Sequence, residues 1–336
     1  LQDHSRMEFP PPKPLPRIGL VIPSYRVRPH ILDVLSRIGP DVALIVVVDD
    51  ACPENSGALV KSSTRDERIS VVTHKRNQGV GGATLTGYRA CLEAGMDIIV
   101  KMDGDGQMDP ERIADLIAPI ADGEADYCKG NRFYDLDLLS QMPPIRLFGN
   151  AALSFMTKFS SGYWPIFDPT NGFTAIHAEV AKNLPFEKIS SRYFFESDML
   201  FRLNLLRAVV LDVPMPAIYG DEVSHLRVFR IIPEFTYKHF RNFMKRLFYN
   251  YYLRDMSIAS FQLPLGVLLL LFGLIHGSYY WILSLETGVG TASGTVMLSA
   301  LPIILGLQLT LAFLNQDVLS VPSRPIHSLQ RSRRKS

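Results

Sequence analysis

Cysteine is scarce in this 336-residue chain, which has three, Cys52, Cys91 and Cys128. So odd and widely spaced a set makes neither a disulfide framework nor a zinc-ligand pattern, and buried reduced thiols of a cytosolic domain are expected. An excess of charge of one sign is also missing. The 35 Lys and Arg against 33 Asp and Glu leave a formal net charge of +2, and no nucleic-acid partner is expected. The first sixteen residues lack the apolar core of a secretory signal. They are polar and then proline-rich (Pro10-Pro11-Pro12-Lys13-Pro14), which reads as a disordered or extended tail over residues 1–16, with Met7 a candidate start of translation. A G-x-G-x-x-G dinucleotide fingerprint is absent. The nearest stretch, Asn77-Gln78-Gly79-Val80-Gly81-Gly82-Ala83, has another order and no acidic residue at the expected distance. It reads either as a helix start beside a phosphate or as a tight strand-to-helix turn.

Charge is absent again from two C-terminal stretches, Ile258 to Leu285 and Thr295 to Leu314. Each is long enough to cross a hydrocarbon core of about 30 Å. The loop between them, Glu286 to Gly294, contains no Lys or Arg, whereas the flanks carry Arg254 on one side and Arg324, Arg331, Arg333, Arg334 and Lys335 on the other. The positive-inside rule then places both flanks and the catalytic domain in the cytoplasm. Ahead of the hairpin, Pro233 to Tyr252 interleaves Lys238, Arg241, Lys245 and Arg246 with Phe and Tyr, a composition suited to a membrane interface. The expected organisation is a catalytic domain over 17–225, an amphipathic juxtamembrane region over 226–256, a transmembrane hairpin over 257–315 and a basic cytoplasmic tail over 316–336.

In the first part of the chain, short apolar runs alternate with helical patterns. Ile18 to Ile22, Val42 to Val48, Ile69 to Thr73, Ile98 to Met102, Ala125 to Gly130 and Val209 to Val213 read as strands. His30 to Ile38, Asn55 to Thr64, Ala83 to Ala94, Pro110 to Ile120, Leu138 to Ser161 and Glu196 to Leu206 read as helices. Strands apolar on both faces between helices predict a parallel α/β sheet. Such sheets bind ligands beyond the C-terminal ends of their strands. Here those ends carry Ser24-Tyr25, Asp49-Asp50 and Asp103-Gly104-Asp105.

The most specific motif is Lys101-Met102-Asp103-Gly104-Asp105-Gly106-Gln107. Two carboxylates one residue apart on a glycine-rich turn can hold a hard divalent cation, and Mg²⁺ favours one or two carboxylates together with substrate phosphates. A diphosphate donor supplies those phosphates, and the cation offsets charge on the leaving nucleotide.

The order Asp49-Asp50, Asn77-x-Gly79, Asp103-x-Asp105-Gly106-Gln107, Asn171-Gly172-Phe173 and a Glu196-centred helix resembles glycosyltransferase family 2, and within it the dolichol-phosphate mannose synthases and bacterial polyprenyl-phosphate glycosyltransferases. The likeness covers roughly Ile18 to Val213, and the C-terminal hairpin matches members that carry their own anchor. It implies a GT-A fold, a Rossmann-like and mostly parallel sheet. It also implies inverting transfer of a hexose, mannose or glucose, from a nucleoside-diphosphate sugar to polyprenyl (dolichyl or undecaprenyl) phosphate at the lipid bilayer. By that resemblance Pro23, Tyr25, Asp49, Asp50, Asn77, Gly79 and Asp103 line the donor, and Asp103, Asp105 and Gln107 lie by Mg²⁺ or Mn²⁺. Asp105, Arg132, Arg146 and Glu196 serve catalysis, and Asn150 lies one helical turn beyond Arg146. The sequence departs from the family where Pro23-Ser24-Tyr25 runs on into Arg26-Val27 in place of Asn-Glu. A homo-oligomeric state is left open.

A phosphate acceptor changes what the protein must supply. A sugar hydroxyl needs a general base, for which Glu196 or Asp168 is available. A phosphate monoester, with a second pKa of about 6, is already largely dianionic at neutral pH, and cations such as Arg132, Arg146 and Lys158 suffice to hold it against an anionic donor. Two other readings compete. A hydroxyl-acceptor transferase of cell-surface polysaccharide synthesis is one, although the Gln-x-x-Arg-Trp of processive synthases is absent. An inactive membrane-bound scaffold for nucleotide sugars is the other, although it predicts loss of the metal carboxylates and Asp103 and Asp105 are present.

Overall fold

Valine and isoleucine runs build the centre of the molecule. In the computed structural model, which describes residues 15–134, 144–216 and 228–333 (without the side chains of 144–147, 228–231 and 330–333), they form one seven-stranded sheet. The elements follow as β1 (Ile18–Ser24), α1 (Ile31–Ser36), β2 (Val42–Asp49), α2 (Ser56–Ser63), β3 (Ile69–Thr73), α3 (Val80–Glu93), β4 (Ile98–Lys101), α4 (Ile113–Ala121) and β5 (Tyr127–Asn131). Then come α5 (Pro144–Ser161), β6 (Thr174–His177), α6 (Ala178–Ala181), α7 (Phe195–Leu206) and β7 (Val210–Pro214). The strand order is β3-β2-β1-β4-β6-β5-β7, parallel throughout except for β6, which is antiparallel to both neighbours. The expected Pro-rich tail up to residue 14, together with Arg334 and Lys335, lies outside the described residues, as do the side chains of Arg146, Arg331 and Arg333.

Successive strand residues point to opposite faces, and both faces are covered. Leu20, Ile22, Ile45 and Val47 face a core closed by α1, α2 and α4, while Val21, Val46 and Val48 face one closed by α3 and α7. This two-sided burial explains why the strands are apolar without alternation. The strand β6 was not read from the sequence. It is four residues long and owes its position to pairing between β4 and β5 rather than to a pattern of its own.

The C-terminal third comprises α8 (Val228–Phe248), a π-helical turn (Tyr249–Arg254), α9 (Ala259–Thr287), α10 (Ser293–Leu319) and α11 (Ile326–Arg333). Helix α8 is amphipathic with its polar side inward. His239, Asn242 and Arg246, with Asn250 in the π-helical turn that follows, are spaced by three or four residues, buried, and bonded to Ser160, Asp198, Asp317 and Asn204. Tyr237, Phe240, Met244 and Phe248, at the same spacing on the other side, are exposed. Residues three and four apart share a helix face, so one stripe is polar and paired and the other apolar and bare. One expectation is corrected. Arg246, read with Lys238, Arg241 and Lys245 as a surface cation, is turned inward and nearly inaccessible.

Helices α9 and α10 pair as an antiparallel hairpin. At 29 residues, α9 is about 43 Å long at 1.5 Å per residue, ample for a bilayer core. Close approach is permitted where the side chain is missing: a Cβ on Gly306 would lie 2.7 Å from the Gly266 carbonyl oxygen, and one on Gly273 2.7 Å from that of Ser299. Both helices have the length and composition to cross a membrane. Beyond residue 315, where the sequence reading begins a basic tail, α10 continues to Leu319 and the chain turns back to dock α11 on the catalytic domain. There the Asp126 carboxylate accepts from the backbone N–H groups of Ile326 and His327 at 2.9 and 3.1 Å, and the His327 ring stacks on His177 with centroids 4.2 Å apart.

Candidate active site

The C-terminal ends of β1, β2 and β4 converge on one edge, and the loops leaving them supply the polar residues. Asp49 and Asp50 close β2. Each is buried and fully engaged by the protein. Asp49 accepts from the N–H groups of Cys52 at 2.8 Å and Gly57 at 2.7 Å, so it caps the start of α2 from outside the helix. Asp50 accepts from the N–H groups of Gln78 and Gly79, both at 2.8 Å, and meets His74 Nδ1 at 2.7 Å, while the Asn77 amide donates to the Asp50 carbonyl. The pair thus builds the loops of this edge. The glycine stretch after Asn77 is covered in turn: the Gly82 N–H donates to the Ser191 carbonyl at 3.0 Å, and Gly79 packs against Ser191 and Arg192. The stretch makes a tight turn into the start of α3, with the segment Ser190 to Arg192 laid across it.

The Asp103-Gly104-Asp105 turn follows β4. Lys101, at the end of that strand, is buried and lies 2.9 Å from Asp103 Oδ1 and 3.3 Å from Glu196 Oε1. Burial opposes its charge, yet the carboxylates of Asp103 and Glu196 outweigh burial and hold its pKa above the usual lysine range. Lys101 therefore joins the acidic turn to the first turn of α7. Gly172 makes room for this contact, since a Cβ there would fall 2.5 Å from Asp103 Oδ2 and against the lysine ammonium. Asp105 Oδ1 accepts from the Gln107 N–H at 3.0 Å, and Gln107 is partly exposed beside it. Pro23 is buried in β1, and Tyr25 is exposed with the Arg26 guanidinium 5.5 Å from its ring centroid.

A second cluster lies past β5. The Arg132 guanidinium grips Asp168 through Nε at 2.8 Å and Nη2 at 3.2 Å. The fork fixes the loop Phe167 to Thr170 opposite the end of β5. Lys158 donates to the Trp164 carbonyl, so it is committed within the protein. Arg146 stands in the first turn of α5, its side chain outside the described residues. Lys129, unremarked in the sequence, donates to the Asn171 carbonyl from a buried position, and burial pushes its pKa down to about 8. Burial likewise raises Asp212 to about 6. Asp198, two residues after Glu196, takes no part in the cluster; it is buried and ties α7 to Ser190 and to Asn242 of α8. Lysines inside otherwise apolar strands were the signal that would have singled out Lys101 and Lys129.

Residues 20–184 match the family described as Glycosyl transferase family 2. A UDP-N-acetylglucosamine–dolichyl-phosphate N-acetylglucosaminyltransferase of Methanococcus voltae is 30% identical over 218 residues, 61% of this chain and 86% of that protein. The chain belongs to glycosyltransferase family 2. The polyprenol monophosphomannose synthase of Mycolicibacterium smegmatis is 29% identical over 209 residues, covering 60% of this chain and 78% of that protein. Among solved structures, glucosyl-3-phosphoglycerate synthase of Mycobacterium tuberculosis, crystallised with Mn²⁺, UDP-glucose and phosphoglyceric acid, superposes with a TM-score of 0.52 at 17% identity over 69% of this chain and 79% of that one. That likeness establishes the GT-A fold of this glycosyltransferase. The sheet edge described above is its candidate active site.

Proposed function

We propose that this glycosyltransferase moves a hexose from a nucleoside-diphosphate sugar to a polyprenyl phosphate at the cytoplasmic face of a membrane, with inversion at the anomeric carbon. The observation that carries the lipid part is helix α8, whose polar side is paired with the catalytic domain while Tyr237, Phe240, Met244 and Phe248 face outward ahead of the hairpin. An aromatic stripe so placed suits the boundary between head groups and acyl chains. The relatives support the acceptor class, since those named above act on dolichyl phosphate or make a polyprenol phosphate sugar.

In the proposed reaction a phosphate oxygen of the acceptor attacks the anomeric carbon. The bond from that carbon to the β-phosphate oxygen breaks, and the nucleoside diphosphate leaves. No proton need be removed from the nucleophile. The carboxylates agree with this division of labour: Glu196 is held by Lys101 and Asp168 by Arg132, so each candidate base already serves a cation. Asp103 and Asp105, with Gln107 beside them, would hold Mg²⁺ or Mn²⁺. Two carboxylates leave a Mg²⁺ or Mn²⁺ ion to take its other ligands from phosphate and water. Such a cation offsets the charge on the departing diphosphate. Lys101 then holds Asp103 in place from below, and the family likeness assigns Arg132 and Arg146 to the phosphate groups. Pro23, Tyr25 and the loops built by Asp49, Asp50, Asn77 and Gly79 would enclose the nucleoside.

The test is a panel of UDP and GDP sugars offered with a short polyprenyl phosphate in detergent, with and without Mg²⁺, and the lipid analysed by mass spectrometry. A polyprenyl phosphate heavier by one hexose, formed from one donor, is expected. No glycosylated lipid from any donor, with free sugar released instead, contradicts the reading.

A further inference from the structure

Among the described residues, the most deeply buried arginine–carboxylate pair lies outside the candidate active site. Asp317, two residues before the end of α10, and Arg246, near the end of α8, are each about 1% exposed. The guanidinium donates to both carboxylate oxygens, through Nη1 at 2.6 Å and Nη2 at 2.9 Å. The Tyr251 hydroxyl donates to the same carboxylate at 2.7 Å and the Trp164 indole Nε1 at 3.0 Å, while Arg246 Nη2 also donates to the Phe159 carbonyl at 2.8 Å. One carboxylate thus gathers the end of the hairpin, the interfacial helix, the π-helical turn and the loop after α5. From Trp164 the chain needs only four residues to reach Asp168, which grips Arg132. Among the described residues Arg246 Nε is buried without a partner, but the Asp317 carboxylate is engaged by Arg246, Tyr251 and Trp164 together, and a buried carboxylate that needs all three donors favours one arrangement of those four segments.

We infer that Asp317 and Arg246 are positioning residues that fix the catalytic domain at one height and tilt over the bilayer. The stripe on α8 sets depth, α10 sets the membrane axis, and the cluster locks both to the loop that leads to Asp168 and Arg132. A phosphate tethered to a bilayer arrives at one depth and needs the site there, whereas a short acceptor in micelles does not. The inference rests on the acceptor reading above.

Two variants test it with whichever donor the wild type uses. Arg246→Met with Asp317→Leu removes both charges and leaves neither stranded, and Trp164→Phe removes one hydrogen bond while keeping the ring. Each is measured on undecaprenyl phosphate in proteoliposomes and on citronellyl phosphate in detergent. In liposomes the double variant is expected to lose tenfold or more in turnover and Trp164→Phe a smaller factor, with citronellyl phosphate used within twofold of wild type by both. Equal retention on the two acceptors, or an equal loss on both, overturns the inference. A wild type that glycosylates neither acceptor overturns the acceptor reading instead.

Discussion

Lys101, at the end of β4, and Lys129, in the middle of β5, are both buried in the strands on either side of β6, yet their electrostatics differ. Lys101 has two carboxylates as partners and keeps its charge, whereas Lys129 has a carbonyl and is pushed down to about 8. The first makes the acidic turn and Glu196 a single unit, with Asp105 two residues on from Asp103. Asp105→Asn should leave the melting temperature within a few degrees of wild type and cut turnover about 100-fold or more, as expected when a group facing transition-state charge is lost. Near-normal turnover of the folded variant, or full turnover in EDTA, would remove this turn from the metal site. A pH effect belongs to His239. Burial lowers its pKa to about 4, with one ring nitrogen 2.8 Å from the Ser160 hydroxyl. Because the folded value lies below the usual 6.5, its stabilising contribution is complete above about 6.5 and is lost as the pH falls through 4. A displacement of that size corresponds to on the order of 3 kcal/mol. The melting temperature should fall less between pH 6.5 and 4 in His239→Gln than in wild type; identical slopes would count against it. The sequence showed Asp49, Asp50, Asp103 and Asp105 because acidic residues stand out after apolar strands. It did not show that the first two are spent on backbone N–H groups, since those donors come from Cys52, Gly57, Gln78 and Gly79, and only the folded loops bring them together.

Among the elements, those with a strong period of their own were legible and those that depend on distant partners were not. The six strands and the helices between them were readable from composition and spacing. Strand β6 was not, because Thr174–His177 is defined by neighbours rather than by pattern. Helix α11 escaped notice because its docking relies on Asp126, two hundred residues away. Helix α8 was recognised as aromatic and basic, but its inward side was missed. His239, Asn242, Arg246 and Asn250 recur every three or four residues, a polar stripe that can be satisfied only against protein if the aromatic side is to meet lipid. This orientation predicts spin-label behaviour. Nitroxides at Phe240→Cys and Phe248→Cys in proteoliposomes should collide more with oxygen than with a nickel chelate, and one at Lys182→Cys on the catalytic domain should do the reverse. Nickel-dominated relaxation at 240 and 248 would mean that the stripe faces water.

At the scale of the whole molecule, the catalytic domain and both ends of the hairpin are one body. The chain enters α9 from the π-helical turn and leaves α10 at Asp317, where Arg246 and Trp164 hold it, and α11 then returns to Asp126. The antiparallel hairpin and the docked return put both hairpin ends on the side of the catalytic domain. The proposed acceptor, a phosphate carried on a membrane lipid, would suit an anchor built into the catalytic body, and that acceptor is the central claim. It is tested most directly by comparing undecaprenyl phosphate with undecaprenol in the same proteoliposomes and with the same donor. A nucleophile that arrives already ionised predicts glycosylation of the phosphate and at least a 100-fold lower rate with the alcohol, consistent with the absent contribution of a general base. Equal rates on the two lipids would contradict the account and require Glu196 or another carboxylate to act as the base.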